Sequence, residues 1–394
     1  MKISCIECYE ATLPTRRPHL DRHVSDVAAH YGRTYLLAKV IADNGVEGYG
    51  EAPVLPVWGG DHGIYYGETV RTSVAVITEL IGPAILGKDP TMIEVLHEDM
   101  DKVVIGYPYA KGCLDLAVHD LVGKALEIPV YQLLGGLYRR KIPVNHSIGF
   151  MDANRAAEEA KLVVEEGVKT IKIKVGIEPE RDIAVVRAVR QAVGDKIRLT
   201  ADANQGYKTP KIALQVIREM EKSDVWFMEQ PVEGLSAMEE VTKKSSMPIM
   251  ADESAWTARD ALEIAKRGAA DIISLYTMKP GGLMNAKKVA AIAEAARIPC
   301  NVNGSGEMGV GNAANVQLAA AMKNVSLPCV IPVTSVQGKE RTRIANRIFL
   351  DDFVKEPFEY EEGCTIVRDA PGMGIEIDQD KFKKYTKIVA TIKA

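Results

Sequence analysis

A net charge of −4 and a pI near 6.1 over 394 residues exclude a basic footprint for nucleic acid or for an anionic membrane surface. An apolar share of 47% fits a globular protein with a sizeable core, and the length allows two or three domains. No apolar run approaches a membrane span, MKISCIECYEATLP lacks the apolar centre of a signal peptide, and six scattered cysteines read as reduced thiols, so a cytoplasmic location is expected.

Residues 1–12 and 34–43 read as strands, and Asn44-Gly45 marks a hairpin into a third strand, VEGYGEA. Cys5 and Cys8 form a C-x-x-C, but no second pair lies at a zinc spacing. Three apart on a strand they face opposite ways, so both read as structural. Two irregular stretches flank the hairpin. Residues 13–33 carry Arg16, Arg17, His19, Arg22 and His23; residues 53–67 carry Trp58, His62, Tyr65 and Tyr66. From Glu68 to about Leu134 the apolar period becomes helical, in VRTSVAVITELIGPAIL, MIEVLHEDMDKVV and AKGCLDLAVHDLVGKAL, with Pro90 and Pro108 at expected helix starts. Strands followed by helices predict an α+β domain over residues 1–134.

Beyond LLGG (133–136), strand and helix alternate. IPVNHSIGF precedes a helix from Ala153 to about Glu166, and TIKIKV one from Glu180 to about Val193. RLTADAN, WFMEQ, PIMADE, DIISLYT and CNVNG follow, each before a helix, at 210–222, 236–245, 257–267, 284–296 and 309–323; PCVIPV ends the series. Eight strands with seven helices predict an α/β fold, a modified (β/α)7β TIM barrel over 135–333, whose active site lies at the C-terminal strand ends. In residues 334–394, PFEYEEGCTIVRD and PGMGIEID read as short strands and 380–387 as a helix. This segment is expected to return to the N-terminal domain and complete it.

The chemistry lies in charges at successive strand ends: Lys172 and Lys174, then Asp202, Glu229, Asp252 and Lys279. The gaps from Lys174 onward are 28, 27, 23 and 27 residues, each the length of one strand–helix unit. Inward charges on five consecutive strands are too costly to be incidental. Asp202, Glu229 and Asp252 would repel one another unless a cation sits among them. An all-oxygen set with no histidine nearby points to Mg²⁺, with Mn²⁺ as its substitute, rather than zinc. Glu253 follows Asp252, and strand alternation points only one of them inward; Asp252 is the choice because it matches Asp202 in position. Asn204 shares the face of Asp202 and is a candidate supporting residue.

Lysines on both sides of the metal strands suit a base on each face of a planar intermediate. A lysine acts as a base only when neutral, so its pKa must fall from ~10.4 to ~7, at ~4 kcal/mol. A second ammonium two residues away and a nearby cation push that way, which gives Lys172 a reason to accompany Lys174. The implied reaction is removal of the proton next to a carboxylate, with the ene-diolate charge stabilised by the metal.

These residues give the chain a resemblance to the enolase superfamily, specifically the muconate lactonizing enzyme branch of the mandelate racemase/muconate lactonizing enzyme family. The resemblance spans nearly the whole chain: VEGYGEA, DLVGKALEIPVYQLLGG, KIK (172–174), DAN (202–204), EQP (229–231), ADES (251–254) and MKPGG (278–282). It implies an N-terminal α+β capping domain completed by the tail, with two loops, here 14–33 and 53–67, closing over the site. It also implies Asp202, Glu229 and Asp252 as Mg²⁺ ligands, Lys174 and Lys279 as the acid/base pair, and Lys172 as the residue that tunes Lys174.

Where the mandelate racemase subgroup has a histidine base, this chain has Asn303, which sets that subgroup aside. Glu307 stands beyond Gly304-Ser305, where relatives often carry an acid earlier. VTSVQGK (333–339) lacks the acidic D-x-D with which dipeptide epimerases hold an ammonium. The resemblance implies a racemase or epimerase of a small carboxylate or amino-acid derivative, with a cycloisomerase of the muconate lactonizing type or a dehydratase as alternatives. A vestigial anion-binding barrel is the non-enzyme alternative. Asn303 and Glu307 are candidates for contact with substrate, Arg16 for contact with a second anionic group, and Trp58 and Trp256 for an apolar or cation-binding wall. The expected partner is a small carboxylate, and the expected assembly a homo-oligomer.

Overall fold

The computed structural model describes residues 1–15, 34–56, 67–331, 334–339 and 344–394. Strands β1 (Ile3–Ala11), β2 (Tyr35–Ala42) and β3 (Glu47–Ala52) form an antiparallel meander. The Asn44-Gly45 turn is as expected, with Gly45 at φ 85°. A strand that sequence patterning missed, β14 (Thr386–Lys393), pairs antiparallel with β1 and completes a four-stranded sheet ordered β14-β1-β2-β3. It follows the expected final helix, which spans Gln379–Tyr385. The tail therefore does return to the N-terminal sheet. PGMGIEID forms only isolated bridges, Pro129 to Gly372 and Val354 to Ile377.

The glycines of VEGYGEA have a packing reason. A Cβ on Gly50 would lie 1.9 Å from the Cys113 carbonyl oxygen, and one on Gly48 2.0 Å from that of Ala117, both in the helix Pro108–Ala125. Backbone meets backbone here, so the contact has no side chain to yield. Gly50→Ala is expected to destabilise the protein by about 3 kcal/mol, the upper range for overpacking, read as a lower urea midpoint. An unchanged midpoint would contradict this packing.

The first cap helix is not continuous. Val70–Val76 passes through a single π turn, Ile77–Ile81, into Gly82–Ile85. Pro83 lacks the N–H that would continue the regular ladder, which accounts for the break. The next helix starts at Ile93 rather than at Pro90, while Pro108 does open its helix.

The barrel strands are β5 (Asn145–Ile148), β6 (Thr170–Lys174), β7 (Arg198–Asp202), β8 (Val225–Glu229), β9 (Ile249–Ala251), β10 (Ile272–Leu275) and β11 (Cys300–Val302). They run parallel and in sequence order. PCVIPV, expected as an eighth strand, makes no regular strand among the described residues, and Pro328 cannot donate to a ladder. Its middle nevertheless closes the barrel: Val330 N–H bonds Val302 O, Cys329 N–H bonds Pro143 O, and Asn145 N–H bonds Cys329 O. IPVNHSIGF splits, with Lys141–Pro143 (β4) joining β13 (Cys364–Ile366) and β12 (Tyr360–Glu361) in a small sheet. Phe227, Met250 and Ile272 form a buried cluster apart from the main core. Phe227 lies two residues before Glu229 and Ile272 two before Ser274, so they share the inward strand face and form an apolar floor beneath the polar mouth.

All six cysteines are free, and burial pushes the Cys8 thiol up to about 12. Among the described residues, no helix is long and apolar enough to cross a membrane.

Candidate active site

Parallel register sets Lys174 beside Asp202 and Asp202 beside Glu229. The charged residues of β6, β7 and β8 thus end level at the C-terminal mouth. The Lys172 ammonium lies 2.7 Å from Asp202 Oδ2 and 2.8 Å from Glu229 Oε1. Lys174 Nζ lies 2.7 Å from the same Asp202 oxygen and 2.6 Å from Asn204 Oδ1. Beyond β10, Lys279 donates to Asp252 Oδ1 at 2.6 Å, to the Asp252 carbonyl at 2.8 Å and to the Ser274 carbonyl at 2.9 Å. Its ammonium also lies 4.4 Å from the Tyr276 ring centre. The two outer lysines therefore flank the three acid-bearing strands from opposite sides.

Burial and charge decide the protonation states. Burial opposes the ammonium of Lys172, but Asp202, Glu229 and Asp252 overcome it and raise its pKa. Burial likewise opposes the Asp202 carboxylate, yet Lys172 and Lys174 hold its pKa well below the usual range. Glu229 goes the other way, to about 8, through burial and the charges of Asp202 and Asp252. Glu253 is also pushed up to about 8, by burial and then by Asp252 and Asp202.

Glu253 corrects the alternation argument. β9 ends at Ala251, so Asp252 and Glu253 stand in the turn beyond it, where alternation no longer applies. Both carboxyls reach the polar layer: Asp252 meets Lys279, and Glu253 Oε1 accepts from Asn204 Nδ2 at 2.8 Å. Asn204 likewise reaches its place through a left-handed turn, at φ 40°, rather than by sharing a strand face with Asp202.

Asn303 donates to Glu229 Oε1 at 3.0 Å and to Ser274 Oγ at 2.8 Å, so here it braces a carboxylate. Glu307 is buried and accepts from the Ser305 N–H at 2.8 Å. Trp256 is buried and packs edge-on against Tyr109 of the Pro108–Ala125 helix, ring centres 6.3 Å apart. Arg16 and Trp58, with Arg17, His19, Arg22, His23, His62, Tyr65 and Tyr66, lie outside the described residues.

Sequence reasoning missed Ser274 and Tyr276, which carry no charge to mark them. It also missed Asp115. From the cap, this residue accepts the N–H of Leu283, just past the Lys279 loop, and is itself held by His97 at 2.7 Å and His119 at 3.2 Å. Its position in a helix that also carries Lys111, His119, Asp120 and Lys124 gave no sign of this contact.

Among the described residues, no group of three or more His, Cys, Asp or Glu side chains is gathered in metal-holding geometry. Ammonium groups take the oxygens of Asp202, Glu229 and Asp252 instead. The donor set still fits a hard divalent cation: three buried carboxylates on neighbouring strand ends, one of them pushed towards neutrality by burial and by the other two.

Residues 11–135 match the mandelate racemase/muconate lactonizing enzyme N-terminal domain, and residues 155–381 match the enolase C-terminal domain-like family. The chain is 32% identical over 388 residues to the N-succinyl-L-Arg/Lys racemase of Bacillus cereus, covering 98% of each chain. That enzyme's crystal structure superposes with a TM-score of 0.87 over 99% of this chain and 100% of that one. Muconate cycloisomerase 1 of Rhodococcus opacus is 33% identical over 98% of this chain and 99% of its own. The hydrophobic dipeptide epimerase of Enterococcus faecalis is 40% identical over 74% of this chain and 80% of its own. The E. faecalis dipeptide epimerase has also been solved with Mg and the dipeptide L-Leu-L-Tyr, at a TM-score of 0.81, covering 95% of this chain and 100% of that one. The chain is thus an isomerase of the enolase superfamily and belongs to its mandelate racemase/muconate lactonizing enzyme family.

Proposed function

We propose that the chain removes the proton α to a substrate carboxylate and delivers one to the opposite face, as a racemase or epimerase of a small carboxylate or amino-acid derivative. The observation that carries this reading is the placement of Lys174 and Lys279 on opposite flanks of the carboxylates at the barrel mouth. In one direction, neutral Lys174 takes the α proton while the Lys279 ammonium gives its own to the other face; the opposite stereoisomer exchanges the two roles. Lys172, clamped between Asp202 and Glu229, stays charged and keeps a positive field beside Lys174.

Asp202, Glu229 and Asp252 would hold Mg²⁺, an assignment supported by the Mg in the E. faecalis epimerase structure. A divalent cation there supplies electrostatic stabilisation of the carboxylate charge that grows as the proton leaves. Asn303, whose amide also donates to Ser274 Oγ, keeps Glu229 oriented. Beyond the barrel-closing segment, VTSVQGK (333–339) has no acid where dipeptide epimerases carry a D-x-D for the substrate ammonium, which favours a substrate whose amine is acylated. A cycloisomerase is the second reading, favoured by the likeness to muconate cycloisomerase 1 across 98% of the chain. It needs proton movement on one face only.

The test is deuterium uptake. N-acyl amino acids, dipeptides, hydroxy acids and muconates are incubated in D₂O with the protein and Mg²⁺ and followed by proton NMR. At least one class is expected to gain deuterium next to its carboxylate and to lose optical purity. No uptake across the whole panel would overturn the reading; lactone formation from a muconate without racemisation would favour the second.

A further inference from the structure

Two short hydrogen bonds tie Lys174 to a carboxyl group outside the three acids assigned to the metal. Asn204 Oδ1 accepts from Lys174 Nζ at 2.6 Å, and Asn204 Nδ2 donates to Glu253 Oε1 at 2.8 Å. A primary amide has one accepting and one donating end, and here both ends are committed. The Glu253 acceptor therefore fixes which way round the Asn204 amide lies, and with it the presence of an oxygen facing Lys174. Were the amide reversed, an NH₂ group would face the ammonium, donor against donor. The Asn204 backbone is held as well, since its N–H bonds Asp202 Oδ1 at 3.0 Å. Glu253 is buried, so water does not readily take over its role.

We infer that Glu253 is a positioning residue for Lys174 alone: through Asn204 it holds that lysine at one face of the substrate, while Lys279 is held independently. The separation follows from the hydrogen bonds: Lys279 is held by Asp252 and the Ser274 carbonyl, whereas Asn204 bonds Lys174, Glu253 and Asp202. The inference rests on the proposed proton transfer for its kinetic consequence but not for its geometry. Side chains that orient a reacting group from behind commonly account for 10- to 100-fold in activity, and an ångström of misplacement costs about 10²-fold.

Glu253→Leu removes the acceptor at similar volume, whereas Glu253→Gln keeps an oxygen for Asn204 Nδ2. In D₂O, with each stereoisomer of an exchanging substrate taken separately, Glu253→Leu is expected to slow uptake by about 10²-fold on one face only. That face is the one silenced by Lys174→Ala; the Lys279 face should keep its rate within about threefold, and Glu253→Gln should restore both. Asn204→Leu should reproduce the same one-sided loss should the Glu253→Leu protein fail to fold. Equal losses on both faces, no loss, or failure of Gln to rescue would each overturn the inference. A crystal structure of the Leu variant is a readout independent of turnover: a displaced Lys174 supports the inference, and an unmoved Asn204 and Lys174 overturn it. Absence of exchange in the parent protein would sink the proposed function instead, and the position of Lys174 in the Leu variant would still decide the inference.

Discussion

Lys279→Met will abolish interconversion of stereoisomers, by about 10³-fold, while one stereoisomer still exchanges its α proton with solvent. The size follows from the usual worth of a positioned general acid or base, and the asymmetry from the geometry. Lys174 is anchored by Asp202 and Asn204, on the far side of the acids from Lys279. Methionine retains most of the lysine's apolar length, so the Tyr276 ring that packs beneath the ammonium keeps its neighbour. The substitution does leave Asp252 without its closest cation, so metal content must be measured alongside the rates. Chiral chromatography reads interconversion, and NMR reads exchange. Full racemisation by the variant would remove Lys279 from the mechanism. Loss of both activities with metal content intact would mean that Lys279 supports the site as a whole.

Periodicity made the barrel legible because the units repeat one physical demand: a short, largely buried strand, then a helix that packs against it. The expected helix at 210–222 is observed as Pro210–Glu221, and that at 284–296 as Leu283–Ala295. The strand ends were legible because charge at the end of an apolar run is expensive, and five such ends at one spacing have few innocent explanations. Legibility failed where a residue's role depends on where a strand stops. Glu253 was set aside by alternation, but β9 is only three residues long and the rule ends with it. It failed again where pairing joins distant parts of the chain. β14 has the composition of a strand, yet among the described residues the strand it pairs with is β1, more than 370 residues earlier in its register pairs. The helix–helix–carboxylate contact of Asp115 with His97, His119 and Leu283 is invisible for the same reason: nothing local distinguishes it from a helical aspartate facing water.

Mg²⁺ affinity should rise with pH by about tenfold per unit up to about pH 8 and then level off. In the metal-free protein Glu229 is pushed up to about 8, chiefly by burial and by Asp202 and Asp252, so at pH 6 to 7 it holds a proton that a ligating carboxylate must release. Asp202, kept low by Lys172 and Lys174, is already ionised and adds no such step. The sign for stability is the reverse. A carboxyl whose folded pKa lies above its unfolded value of ~4.5 contributes stability that is complete below that value and is lost as pH rises through about 8. The metal-free protein thus loses this contribution over the same interval in which metal binding strengthens. The rise in melting temperature produced by Mg²⁺ should accordingly be larger at pH 8 than at pH 6. Titration calorimetry in two buffers of different ionisation enthalpy counts the released protons directly, and EDTA-treated protein supplies the reference. Glu229→Gln carries no proton to release at that position, so its affinity should be at least tenfold weaker at pH 8 and its pH slope flatter. An affinity that stays constant from pH 6 to 8 would show that Glu229 enters the metal site already ionised, and the lysines rather than the other acids would then set its charge.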